Sequence, residues 1–210
     1  MTTRAHISGK WLGRNARALS PEREAKLELD QLRLAEENMR PAFFAMPAFS
    51  LITCFLLAAW IPVNELALWF VAMVVASFRF WISEKFLDLK DPPPATVRKW
   101  HLSLSWLTLV SNVVWMYPLY EFYFRCSETG QMLLTMIAAG SMSAGMIMTT
   151  SSNRMIWSAL IPYTTALTLP PLIIGDPFHI GVGVLCLGYC LFMGYVGFTV
   201  YVNARDLFLT

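Results

Sequence analysis

Six mostly apolar stretches, each of about 20 residues, recur along this 210-residue chain. A bilayer core of ~30 Å is crossed by about 20 helical residues. The stretches are 41–61, 65–82, 100–120, 131–150, 156–174 and 180–202. Lipid offers a backbone no partners, so each is expected to be an α-helix. Pro62-Val63-Asn64, Ser151-Ser152-Asn153-Arg154 and Gly175-Asp176-Pro177 supply turns between them. Pro92-Pro93-Pro94 forbids continuous helix in the longer loop after the second span. Composition agrees: 56% of residues are hydrophobic and 14% charged, with a mean hydropathy of +0.50. Soluble domains carry about 25% charged residues. A disordered chain, a basic nucleic-acid-binding domain and an ordinary soluble enzyme are thereby excluded. The expected fold is all-α: a polytopic membrane protein of six transmembrane helices with an amphipathic helix before the first. The expected division is a tail and pre-membrane helix over 1–40, a membrane domain over 41–203, and the start of a cytoplasmic helix over 204–210.

The basic residues predict an orientation. Of the 16 Lys and Arg, 14 lie before the first span, in the loops after the second and fourth, or after the sixth. Arg125 alone lies in the alternate loops, and Arg79 alone within a span. Positive charge marks cytoplasmic loops, so both termini are expected inside, in a cell's inner membrane. Ser20-Pro21-Glu22-Arg23-Glu24 reads as a helix start. Ala25, Leu29, Leu32 and Met39 follow at heptad-like spacing. That stripe fits a dimer seam, a helix lying on the membrane, or a solvated helix against its own protein.

Few polar residues interrupt the spans. Arg79 sits close to a cytoplasmic helix end and is expected to snorkel to the interface. Asn112, in the middle of the third span, needs a partner. Ser105, Thr108 and Trp115 share its helix face. The fourth span holds Gly140, Ser141, Ala144 and Gly145 at small-xxx-small spacing, among Met132, Met136, Met142, Met146 and Met148. Tyr163 follows Pro162 in the fifth span. Candidate ligand-binding residues are therefore Thr108, Asn112, Trp115, Ser141 and Tyr163. Candidate packing or signalling positions are Gly140, Ala144, Gly145, Gly188 and Gly194. Plain interhelical packing explains the same residues.

Catalysis and metal binding find no footing. Cys186 and Cys190 share a helix face and read as structural thiols, while His101 and His179 belong near opposite bilayer faces. No cofactor is expected. No nucleophile–base set stands out, and no carboxylate lies mid-span to couple transport to an ion.

The order of features is similar to a known architecture. A charged helix passes through Leu32-Arg33-Leu34-Ala35-Glu36-Glu37-Asn38-Met39-Arg40-Pro41-Ala42 into the first span. A Trp-bearing third span and the Ala/Gly/Ser/Met run of residues 136–151 follow. The last span leads into Val202-Asn203-Ala204-Arg205-Asp206-Leu207-Phe208. This resembles the six-span N-terminal sensor regions of bacterial signalling proteins, which precede diguanylate cyclase, cyclic-di-GMP phosphodiesterase or histidine kinase domains. The resemblance implies a non-enzymatic sensory input domain, homodimeric in the bilayer. It would detect a small, amphipathic or lipid-like signal and pass a helix rearrangement to a cytoplasmic output domain, with the chain truncated at Thr210. The alternative is a small integral-membrane transporter or enzyme complete in itself.

Overall fold

The computed structural model describes residues 21–209 except Asp91; the expected cap Ser20 and the tail before it lie outside them. Seven α-helices follow one another: α1 Pro21–Leu57, α2 Val63–Ser77, α3 Arg79–Leu87, α4 Pro94–Tyr120, α5 Glu128–Thr149, α6 Asn153–Ile174 and α7 Pro177–Leu209. A single 3-10 turn, Tyr123–Arg125, precedes α5, and no strand occurs among the described residues. Six helical segments, with α2 and α3 counted together, are long and apolar enough to cross a membrane. The protein is a multi-pass membrane protein. Large apolar side chains such as Phe55, Leu185 and Leu191 stand exposed on the bundle's outside, where lipid is their solvent.

The charged pre-membrane helix continues into the first span as the first half of α1, running through Pro41 and Pro47. Hydroxyls accompany the second proline: Ser50 donates to the Pro47 carbonyl at 2.8 Å, and Thr53 to that of Phe49 at 2.8 Å. The second span is broken at Phe78. The Ser77 hydroxyl back-bonds to the Met73 carbonyl, and the Phe78 amide turns to Val75 in a tighter i→i+3 bond. Beyond the break, α3 buries Arg79, Ser83 and Phe86, one face at i, i+4 and i+7.

The core has two parts. The larger packs Leu57, Trp69, Trp115, Phe122, Met142 and Tyr163, with Cys186 and Cys190 among them. Cys190 donates to the Met142 sulfur at 3.7 Å. The smaller lies at the basic end, where Leu29, Leu32, Ala35 and Met39 pack on Phe86, Val97, Leu104 and Met155. Leu29, Leu32 and Met39 of the heptad-like stripe are thus buried within the chain, which leaves that face no seam to offer a second copy.

Polar pins join the helices. Pro118 lacks an amide hydrogen and so leaves the Val114 carbonyl without its helical donor. The Trp69 indole supplies one at 2.8 Å, linking α2 to α4. Trp69→Phe keeps the ring and removes this bond. It is expected to destabilise by about 0.6–1.7 kcal/mol, the range for interhelical bonds in membranes, measured by reversible unfolding in mixed micelles. A cost indistinguishable from zero would mean that the Val114 carbonyl does not need the indole.

At the other end of the bundle Gly175, in the left-handed region at φ 79°, closes α6. Asp176 caps α7, accepting the His179 backbone amide at 2.9 Å, and its carboxylate also meets the His179 ring. The other ring nitrogen meets the Gln131 side-chain oxygen at 2.8 Å and ties α7 to α5. The His179 amide, followed by its ring, holds the Asp176 carboxyl below its ordinary 3.8. A carboxyl lowered in the folded state stabilises above the unfolded value and loses that contribution as pH falls through the folded one. The melting temperature is therefore expected to drop more steeply on acidification below about pH 4 in the wild type than in Asp176→Ala. Parallel melting curves over that range would refute the cap.

Candidate functional site

A cavity of about 510 Å³ opens within the bundle, its walls supplied by α1, α4, α5 and α6 with Arg79 of α3. Small-molecule sites fall in roughly the 300–1,000 Å³ range and carry a few polar groups on apolar walls. The α1 wall runs from Met39 to Leu56 and includes Phe43, Met46, Phe49 and Thr53. At 1.5 Å per residue that wall is about 25 Å long. Phe49 and Ile52 of α1 and Met136 of α5 are more than half exposed, so the rim meets the lipid side of the bundle.

All five residues singled out for ligand binding line this cavity: Thr108, Asn112, Trp115, Ser141 and Tyr163. Gly140, Ala144 and Gly145 line it too. Helical spacing on α4 places Thr108, Asn112 and Trp115 on one stripe, and small residues on α5 leave room opposite. A Cβ on Gly140 would meet nothing within 4 Å, so the absent side chain is space belonging to the cavity and not a close helix contact. Gly188 and Gly194 lie elsewhere, on α7. A Cβ at Gly194 would come within 3.0 Å of Leu160 Cδ2, whereas at Gly188 it would meet nothing within 4 Å. Gly194 packs against α6; Gly188 has open space beside it among the described residues.

The polar groups differ in how they are satisfied. Thr108 back-bonds to the Leu104 carbonyl at 2.8 Å, so its hydrogen is used inside its own helix. The Trp115 indole donates to Ser141 at 3.0 Å, and Ser141 donates onward to the Ala138 carbonyl at 2.9 Å. Asn112 does not find the expected interhelical partner: it is half-buried on the cavity wall and its side chain makes no hydrogen bond to another described residue. The Tyr163 hydroxyl is buried on a side chain 1% exposed, beside the polar atoms of Ser141 and Trp115 but in hydrogen-bond geometry with neither.

Arg79 corrects the sequence expectation most sharply. It does not snorkel; its side chain is 4% exposed and turned inward. Nη2 donates to Glu36 Oε1 at 2.7 Å, and Ser83 donates to Glu36 Oε2 at 2.6 Å. Phe43 stacks against the guanidinium with its ring centroid 5.5 Å away. The reason is the continuity of α1: it carries Glu36, itself fully buried, alongside the start of α3. A fixed internal carboxylate outcompetes the interface for a desolvated guanidinium. Arg79 Nε remains buried without an acceptor.

Neither a known protein family, nor a curated protein, nor a solved structure matches this chain. The cavity is therefore interpreted from its own geometry. Sequence reasoning missed Glu36 and the α1 wall. Glu36 had a signal: it occupies the third place of the stripe Leu29, Leu32, Glu36, Met39, where an apolar residue belongs. A charge on a buried stripe asks for a partner.

Proposed function

We propose that this chain is a sensory input module of a bacterial inner membrane. It crosses six times with both termini cytoplasmic, binds a small amphipathic signal in the cavity, and passes a change of helix packing through α7 to a cytoplasmic output domain. The observation that carries this reading is the cavity itself: a roomy apolar site within the bundle, provided with a few polar groups, among them two buried donors without partners. The positive-inside distribution of Lys and Arg supports the orientation. The continuation of α7 as helix to Leu209 supports the route of transmission. A homodimer would give α7 a mate against which to move, and Gly188 lies open on that helix.

A ligand shifts such an equilibrium only by its different affinity for the two packings. Cysteines introduced at Leu191 and Tyr195, both exposed on α7, would report that packing between copies in membrane vesicles. Dodecanoate, methyl dodecanoate, dodecanol and dodecylamine are then added separately. At least one is expected to alter the crosslinking pattern, and Gly145→Val, which sets methyl groups in the cavity beside the Tyr163 hydroxyl, is expected to abolish that response. A pattern indifferent to all four would overturn the reading.

A further inference from the structure

The cavity wall displays hydrogen-bond donors that lack acceptors. Tyr163 Oη and Arg79 Nε are both buried and unpartnered, on side chains 1% and 4% exposed. The Asn112 amide, unpartnered on the same wall, adds a third donor. Formal charge is already balanced: among the described residues Arg79 is the only charged one lining the cavity, and Glu36 neutralises it at 2.7 Å. These facts separate two kinds of head group. An uncharged acceptor satisfies a stranded donor and adds no charge. A carboxylate or phosphate satisfies the same donor but brings a negative charge that nothing in the cavity offsets, in surroundings where an unpaired ion is strongly disfavoured.

Resting on the sensory reading, we infer that the site takes an uncharged carbonyl compound carrying an alkyl chain, of the ester, ketone or lactone class. The Tyr163 hydroxyl donates to the carbonyl oxygen. Asn112 and Arg79 Nε offer further donors along the wall. The chain lies against Phe49, Ile52 and Met136, where the rim meets lipid. Gly145 belongs to the same design: a Cβ there would stand 3.9 Å from the Tyr163 hydroxyl, so glycine keeps the approach to that donor open.

The test uses the full chain in phosphatidylcholine nanodiscs and a methyl dodecanoate photoprobe bearing a diazirine at the chain end. Saturable labelling of Phe49, Ile52 or Met136 is expected. Unlabelled methyl dodecanoate displaces the probe, while dodecane and, at neutral pH, dodecanoate are each at least about tenfold weaker. Tyr163→Phe, which keeps the ring, weakens the ester about tenfold and leaves dodecane unchanged. Dodecane competing as well as the ester, dodecanoate competing better, or the absence of saturable label in the cavity each overturns the inference. So does a phospholipid retained one-to-one by the purified protein in native mass spectrometry. The competition series on the wild type decides the matter even where a variant folds poorly. Ester selectivity without any crosslinking response would sink the sensory reading and leave this inference standing. A crosslinking response to another amphiphile, with the ester unbound, would do the reverse.

Discussion

Glu36→Ala is expected to destabilise the folded protein by roughly 3–5 kcal/mol, the cost of removing one partner from a buried ion pair. Most of that arises from the guanidinium left behind, a buried charge with no counter-ion. Ser83 adds to the loss, because its hydroxyl also donates to Glu36 and would be left without an acceptor. The double substitution Glu36→Leu with Arg79→Leu removes both charges and is expected to cost less than Glu36→Ala alone. Unfolding of the three proteins in mixed micelles, with denatured fraction read against detergent composition, gives the comparison. A double substitution that costs as much as Glu36→Ala or more would show that the two side chains do not meet in the membrane. The exposed pairs Arg40–Glu84 and Arg125–Glu65 serve as controls. Surface pairs are worth about 0–1 kcal/mol, so breaking either should barely register.

Gly183→Leu is the second large effect. A Cβ at Gly183 would lie 2.8 Å from Leu172 Cγ and 2.9 Å from Leu172 Cδ2, with the Thr168 carbonyl oxygen at 3.4 Å. Leu172 is partly exposed and can turn aside, but a leucine side chain at this position extends beyond its Cβ toward the α6 backbone at Thr168, so α6 and α7 are pressed apart. Overpacking of this kind costs about 1–3 kcal/mol and on occasion more. Gly188→Ala is the contrast. With nothing within 4 Å of its Cβ, that substitution should stabilise α7 by about 0.5–1 kcal/mol through helix propensity alone. If Gly188→Ala instead weakened the protein in the bilayer but not in detergent monomers, a neighbouring copy would be touching that position. Equal outcomes for the two glycines would contradict the α6–α7 packing.

The six spans were legible because lipid imposes two simple requirements, sufficient length and sufficient apolarity, and both are properties of a sequence window. The stripe Thr108, Asn112, Trp115 and the small residues of α5 were legible because polar and small side chains are conspicuous in an apolar helix. What they do together was not. Gly140 looked like close helix packing and proved to be open space, since a missing side chain reads the same in either case. The α1 wall was invisible, because Phe43 and Phe49 look like any residue facing lipid. The break at Phe78 depends on a local contest between Ser77 and the helix backbone, which hydropathy does not register. Arg79 was misjudged because its depth was estimated along one helix alone. Its environment is set by Glu36, 43 residues earlier, and only the three-dimensional course of α1 brings the two together.

That pairing has a consequence for how the protein reaches its membrane. The acid stands on α1 just ahead of the apolar stretch that begins at residue 41, and the base opens α3 after the break at Phe78, so each helix alone holds an unpaired charge at the edge of its crossing. Folded back on one another, the two helices neutralise that charge between them, and the later crossings pack on a hairpin whose ions are already matched.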